Sequence, residues 1–263
     1  MSDHIKSDSK HNYLVRTDPE KEISRVRRLY VDGFEERERS SFFHIMNNFS
    51  LSRYVRHAGV VQTYLKNGSV LDWGASLGQM SILLRDFDYK VTAYDINISK
   101  ATKKILKSNG IPCKVGLDKL PFRNQSFDAV LSCGVLEHVK DDDFSVHEIH
   151  RILKKNGFFF IFNLPNRYSI SEYIARKMPG IYRHDRLYNK SDISRLLEHK
   201  FDILRISPSH LIPSTSARIR ALRWFSELTD RYWRITSSLD IALEDTPLLN
   251  KISNEWLVVA RKR

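Results

Sequence analysis

The chain has 263 residues, 41% of them hydrophobic and 28% charged, with a formal net charge of +12. Such a composition excludes a disordered or fibrous chain, and the length suits one α/β domain with additions. No apolar run approaches the ~20 residues a membrane-spanning helix needs, and Met1–Asn12 lacks the apolar core of a secretory signal.

A cytoplasmic protein is therefore expected, and Cys113 and Cys133, both on predicted strands, read as buried thiols rather than a disulfide. The surplus of Lys and Arg attracts nucleic acid, anionic membrane lipid or phosphorylated small molecules, and charge alone does not choose among them.

In chain order, Pro19-Glu20 opens a helix and residues 51–66 form another. From Ser69 onward β-rich runs alternate with helical patterns, the signature of a parallel sheet covered on both faces. Strands are predicted at 69–73, 90–95, 112–116, 127–132, 157–164, 201–207 and 255–261. Helices are predicted after Gly78 and at 99–109, 143–153 and 191–199, with Ser99 and Ser191 as N-caps and Gly110 as a stop. Residues 208–254 are too long for a plain loop. Within them Ile219, Leu222, Phe225 and Leu228 recur at helical spacing, with Arg218, Arg220 and Arg223 around that stripe.

The segment Asp72-Trp73-Gly74-Ala75-Ser76-Leu77-Gly78 places an acid at a strand end, a tight turn of small residues, and then a helix. Glycine serves where backbone must approach a ligand that a Cβ would obstruct. A dinucleotide fingerprint would need glycine where Ser76 and Gln79 stand, which argues against NAD. Asp72 suits the cationic end of a ligand. Asp95, at the tip of the next strand, can accept hydrogen bonds from both hydroxyls of a ribose. Together the two acids favour a nucleoside ligand.

These residues, with Leu120-Pro121-Phe122, Ser126-Phe127-Asp128-Ala129-Val130 and Val135-Leu136-Glu137-His138-Val139, resemble the successive motifs of class I S-adenosylmethionine-dependent methyltransferases, particularly the branch that modifies ubiquinone and small molecules. The resemblance runs in order over residues 69–164. It implies a Rossmann-like, seven-stranded, mostly parallel sheet with an antiparallel last strand, helices on both faces, N-terminal helices, and a helical insertion before the last strand. It also implies S-adenosylmethionine as cofactor and S-adenosylhomocysteine as product. Gly74 and Gly78 would line the methionine and adenosine, Asp95 would hold the ribose, and Ile96 and Leu117 would flank the adenine. Asp118 would sit near its amino group and Gly134 beside the sulfonium.

The chain departs from the family at three places. Ser76 replaces the usual middle glycine, which is tolerable if its dihedrals are ordinary. Gly116 stands where many relatives carry an adenine-contacting acid, and the usual Leu-Lys-Pro-Gly-Gly turn reads Leu153-Lys154-Lys155-Asn156-Gly157. Residues 1–50 are expected as an N-terminal extension and 51–263 as the methyltransferase domain.

Methyl transfer from a sulfonium is an in-line displacement, so alignment supplies most of the catalysis, and an oxygen acceptor gains from a base. His138, past the fourth strand, is the first candidate. His184, within Tyr182-Arg183-His184-Asp185-Arg186, is the second, although its charged neighbours equally suit a structural cluster. Some quinone-pathway relatives bind a metal through Glu-x-x-Glu-His. Here Gly134 occupies the first ligand position, so no metal is expected.

Ser132-Cys133-Gly134 lacks the Asn/Asp-Pro-Pro-aromatic run of base-amino methyltransferases. The expectation is O-methylation of a small-molecule, glycan or lipid-linked acceptor, with contact to an anionic membrane surface. The alternatives are an RNA methyltransferase, for which Arg218, Arg220, Arg223, Trp224, Arg231, Tyr232, Trp233 and Arg234 would be the interface, and a noncatalytic S-adenosylmethionine-binding regulator.

Overall fold

The computed structural model describes residues 18–35, 46–117, 119–178, 184–212, 223–244, 246–247 and 249–263. The strands are β1 (Ser69–Trp73), β2 (Lys90–Asp95), β3 (Cys113–Val115), β4 (Phe127–Cys133), β5 (Leu153–Pro165), β6 (Phe201–Ser209) and β7 (Glu255–Lys262). They form one seven-stranded sheet in the order β3-β2-β1-β4-β5-β7-β6. Pairing is parallel from β3 to β5, and β7 is antiparallel to both β5 and β6.

The period-2 geometry of a strand divides the side chains between two cores. In β5, Phe160 and Phe162 enter one core while Phe159 and Ile161 enter the other, and an irregularity between Ile161 and Leu164 moves Leu164 to that second core out of the strict alternation. In β7, Leu257 and Val259 alternate with Trp256, Val258 and Ala260 in the same way. The first core is covered by α1 (Pro19–Gly33), α2 (Asn48–Tyr64), α3 (Gln79–Asp86) and α4 (Lys100–Ser108); the second is covered by α5 (Asp142–Ile152) and α7 (Lys190–Leu197). Between these last two lies α6 (Ile170–Lys177), and α8 (Arg223–Arg231) and α9 (Trp233–Glu244) follow β6.

Ile23, Val26 and Tyr30 of α1 belong to the same core as β1 and β5. The division expected at residue 50 falls inside α2, which packs on α1, α3, α9 and β5.

Several sequence expectations are corrected. The cap of α7 is Asn189, not Ser191: its side chain accepts from the Asp192 amide while Asp192 accepts from the Asn189 amide, a reciprocal pair that Ser191 cannot make. The stretch Leu153–Gly157 is not a free turn but the irregular start of β5, where the register with β4 shifts between Phe127 and Ala129 and Asn156 takes φ 60°. Both cysteines lie on strands as free thiols, each only partly buried. Ser99 caps α4 as expected, accepting from Thr102. Of the stripe expected at 219–228, Ile219, Leu222, Arg218 and Arg220 lie outside the described residues, while Phe225 and Leu228 fall on α8.

Candidate active site at the carboxyl ends of β1, β2 and β4

Strand order reverses between β1 and β4, so the loops leaving their carboxyl ends diverge and leave a crevice where α/β sheets bind ligands. The loop after β1 is held from below. Gly74 and Ala75 donate their amides to the Tyr94 carbonyl at 2.8 and 3.0 Å. Gly74 has φ 77°, and a Cβ there would lie 2.2 Å from Val135 Cγ2 in the loop after β4, so only glycine lets the two loops touch. Gly78 has φ 83° and starts α3, where a Cβ would meet Leu106 Cδ2 of α4 at 2.8 Å.

Ser76 is left-handed, with φ 49°, so the condition of ordinary dihedrals under which the serine would be easily tolerated is not met. The serine keeps the conformation a glycine would adopt more cheaply, and its amide donates to Asp95 Oδ2 at 2.7 Å. Asn97 N donates to Asp95 Oδ1 at 3.2 Å. Two backbone donors thus aim the carboxylate, and the acceptor positions they leave match the two hydroxyls of a ribose.

Beside Asp95, Ile96 and Leu117 are 66% and 70% exposed. Two apolar side chains thus turn outward at adjacent strand tips beside a fixed carboxylate, and could flank a flat apolar ligand. Gly134 (φ 69°) follows β4, with no atom nearer than Glu137 Oε1 at 3.5 Å to the place a Cβ would take. Asp118 lies outside the described residues.

Asp72 is placed differently from Asp95. It lies beneath the turn, 1% exposed, with Ser81 Oγ donating to Oδ2 at 2.6 Å. Burial pushes its carboxyl up to about 6. Tyr30 of α1, close enough to sense that charge, donates its hydroxyl to the Leu77 carbonyl, so the N-terminal helix buttresses the turn.

At the other side of the crevice the structure brings His138 and His184 together, with ring centroids 5.8 Å apart. The cause lies 46 or more residues along the chain from the β4 loop. Arg186 donates to the carbonyls of Leu136 and Val139 at 3.0 Å each and of Lys140 at 3.1 Å, and Tyr188 Oη donates to the Leu136 carbonyl at 3.2 Å. That clamp lays the 184–188 segment across the loop carrying Glu137 and His138.

Glu172 of α6, unremarked in the sequence, receives His184 Nδ1 at 2.5 Å. Nothing local in the sequence marks it: the inversion of its helix, with Glu172 buried and Ile170, Tyr173 and Ile174 outward, is visible only in the fold.

The environments split the two histidines. Burial, and then the charge of His184, pull His138 below the ordinary imidazole value. Burial also opposes a charged His184, but the Glu172 hydrogen bond and the Glu172, Glu137 and Glu255 charges raise it on balance. Glu137, 4% exposed, has Oε2 buried without a hydrogen-bond partner, and burial lifts its carboxyl to about 7.

One ligand atom each from Glu137, His138 and His184 lies within 4.8 Å of the others. A histidine from another segment thus joins the Glu137-His138 pair of that pattern, and the three could hold a divalent cation with an open coordination place.

A Rossmann-like α/β sheet with a glycine turn and a fixed carboxylate at its switch point is the architecture of many nucleotide-dependent proteins. Comparison with known proteins narrows it. Residues 71–161 match the family described as "Methyltransferase domain". The ubiquinone biosynthesis O-methyltransferase of Pelagibacter ubique is 28% identical over 195 residues, covering 67% of this chain and 73% of that protein. A protein of Mycolicibacterium smegmatis named as a probable S-adenosylmethionine-dependent methyltransferase is 28% identical over 130 residues, 49% of each chain. Two further curated relatives are matched over 48% and 56% of their length. In fold the chain resembles the Burkholderia thailandensis 1,6-didemethyltoxoflavin-N1-methyltransferase, crystallised with S-adenosylhomocysteine, at a TM-score of 0.55 and 15% identity, covering 94% of this chain and 91% of that one.

Residues 71–161 thus carry a methyltransferase domain similar to that of class I S-adenosylmethionine-dependent enzymes, with S-adenosylmethionine as the cofactor.

Proposed function

We propose that the protein methylates a hydroxyl oxygen of a small-molecule or lipid-linked acceptor, with His138 as the base. The observation that carries this reading is a pair of imidazoles with ring centroids 5.8 Å apart in unlike surroundings: His138 is half-exposed and drawn toward its neutral form, and His184, bonded to Glu172, is drawn toward its charged form. Paired groups whose environments push their proton affinities apart mark acid and base roles. An amine acceptor, already nucleophilic when neutral, needs such a base less than a hydroxyl does.

Bound S-adenosylmethionine supplies an electrophilic methyl group on a sulfonium. Asp95 receives the ribose hydroxyls, Ile96 and Leu117 flank the adenine, and the Gly74–Gly78 turn and Gly134 give the methionine and sulfonium end close backbone approach. Asp118, expected near the adenine amino group, keeps that role as a proposal. His138 accepts the acceptor's proton at a ring nitrogen, and His184, fixed by Glu172, orients that ring and holds positive charge beside the developing oxyanion. The Pelagibacter relative, named as an O-methyltransferase, supports an oxygen acceptor.

The test is single-turnover methyl transfer to a panel of phenols and alkyl alcohols. His138→Ala should lower the rate about 10²–10⁴-fold with S-adenosylhomocysteine affinity unchanged. The wild-type rate should rise with pH and level off below about 6.5, because the base acts only when deprotonated. Full turnover of His138→Ala would leave alignment alone as the source of catalysis. Loss of activity on treatment with a chelator would replace the base with a cation at the same three side chains.

A further inference from the structure

A half-open cavity of about 720 Å³ lies between the carboxyl end of β6, the start of β7 and the start of α7. Tyr168, Pro208, Ile252 and Trp256 make its walls apolar, and Lys190 and Lys251 stand at it. Its size falls in the range of small-ligand sites, which combine apolar walls with a few charged groups. Nothing described above uses it.

Both ammonium groups are on exposed residues, and among the described residues neither joins an ion pair. Lys190 Nζ stands 5.7 Å from the centre of the Trp256 ring. The walls adjoin the reactive cluster along the chain at three places. Tyr168 precedes α6, which carries Glu172; Asn189 at the cavity ends the segment that starts at His184; and Trp256 follows Glu255, whose charge acts on both His184 and Glu137. Beyond Tyr168, itself 59% exposed, the outer face of α6 continues the apolar surface through Ile170, Tyr173 and Ile174.

An apolar chamber flanked by two uncompensated cations fits neither a free sugar nor an inorganic anion. It fits a molecule with both an aliphatic part and an acidic group. We propose that this cavity binds the aliphatic portion of an amphipathic anion, a phosphate or carboxylate ester or acid, with Lys190 and Lys251 holding the acidic group; as the seat of the methyl acceptor, this rests on the methyltransferase reading above. Such a ligand approaches along the apolar face of α6, with its reacting end toward His138 and His184.

Calorimetric titration of the full chain, with S-adenosylhomocysteine bound, would use octyl phosphate, decyl phosphate, inorganic phosphate and decyltrimethylammonium, all below micellar concentrations. Decyl phosphate should bind saturably, one per chain, and about tenfold tighter than octyl phosphate, since each buried methylene is worth roughly three- to fourfold. Inorganic phosphate and the cationic amphiphile should give no saturable binding.

The double variant Lys190→Glu, Lys251→Glu should weaken decyl phosphate at least tenfold, and Ile252→Trp, which fills the chamber, should weaken it while leaving phosphate-independent properties intact. S-adenosylhomocysteine affinity should be unchanged in both, which also shows that they are folded. Equal affinity for the ammonium amphiphile, no dependence on chain length, or decyl phosphate affinity untouched by the lysine and Ile252 changes would overturn the proposal. Failure of S-adenosylhomocysteine to bind wild-type protein that still takes decyl phosphate would overturn the cofactor assignment and leave the cavity assignment standing.

Discussion

Asp95 and Glu137 are both carboxylates near a ligand crevice, yet they are set for opposite tasks. Asp95 is half-buried and fixed by the amides of Ser76 and Asn97, an arrangement suited to receiving hydroxyl donors. Asp95→Ala should weaken S-adenosylhomocysteine at least tenfold by calorimetry, because hydrogen bonds to a charged group are worth about 1.5–3 kcal/mol; unchanged affinity would remove the ribose assignment. Glu137 is buried with an unpartnered oxygen, and its carboxyl is lifted from the usual 4.5 to about 7. A carboxyl raised on folding favours the native state below its unfolded value and loses that advantage as pH rises to the folded value. Between pH 5 and pH 8 the wild type should therefore lose up to about 3 kcal/mol relative to Glu137→Gln, read from denaturant unfolding at each pH. A gap independent of pH would mean that Glu137 is charged throughout.

The loop after β4, which carries Glu137 and His138, has one turn bond of its own, His138 N to the Val135 carbonyl at 2.9 Å, and is otherwise held from outside. Arg186, from the segment before α7, supplies three bonds to its carbonyls, and Tyr188 joins the clamp. Asp185 and Arg186 were legible in the sequence only as a charged cluster around His184. The cluster is structural in the case of Arg186, and that structure is what brings His184 to His138. Arg186→Met should lower turnover about 10²-fold with S-adenosylhomocysteine affinity intact, and Arg186→Lys should recover little, because one ammonium cannot span three carbonyls as a guanidinium does. Loss of cofactor binding in parallel would indicate general unfolding of the β4 loop instead. The caps follow a similar lesson on a smaller scale: Ser99 was readable because its partner is three residues away, whereas Ser191 and Asn189 both had the chemistry, and only the reciprocal bond with Asp192 decides between them.

The segments outside the strand and helix alternation are joined to each other across the whole molecule. Ser52 of α2 meets Ser237 of α9 at 2.7 Å, the Asn48 amide donates to Asp230 of α8 at 2.5 Å, and Arg56 pairs with Glu244 at 2.5 Å. Glu244 is 2% exposed, so Arg56→Met would leave its charge buried and should cost about 3 kcal/mol, with Glu244→Gln in the same chain recovering part of it. An additive loss in the double variant would show that the two side chains do not act as a pair. The helical insertion expected at residues 208–254 is, in its described helices, anchored to α2. The basic surface that suggested RNA is likewise partly neutralised, since Arg234 pairs with Glu20 of α1, and among the described residues no helix is long and apolar enough to cross a membrane.

The sequence by itself determined what depends on neighbours in the chain. The strands at 69–73 and 90–95 were readable to the residue because a period of two and a bounding turn are local properties. The glycine turn and Asp95 were readable because one connection of the sheet contains them. The tertiary structure alone decided what depends on distant partners: the left-handed Ser76, strained in order to serve Asp95; Glu172, recognisable only once His184 lies against it; and the split of two imidazoles that have the same intrinsic chemistry. Proton affinity is set by burial and by charges a few ångströms away in space, and those distances exist only after the chain has folded.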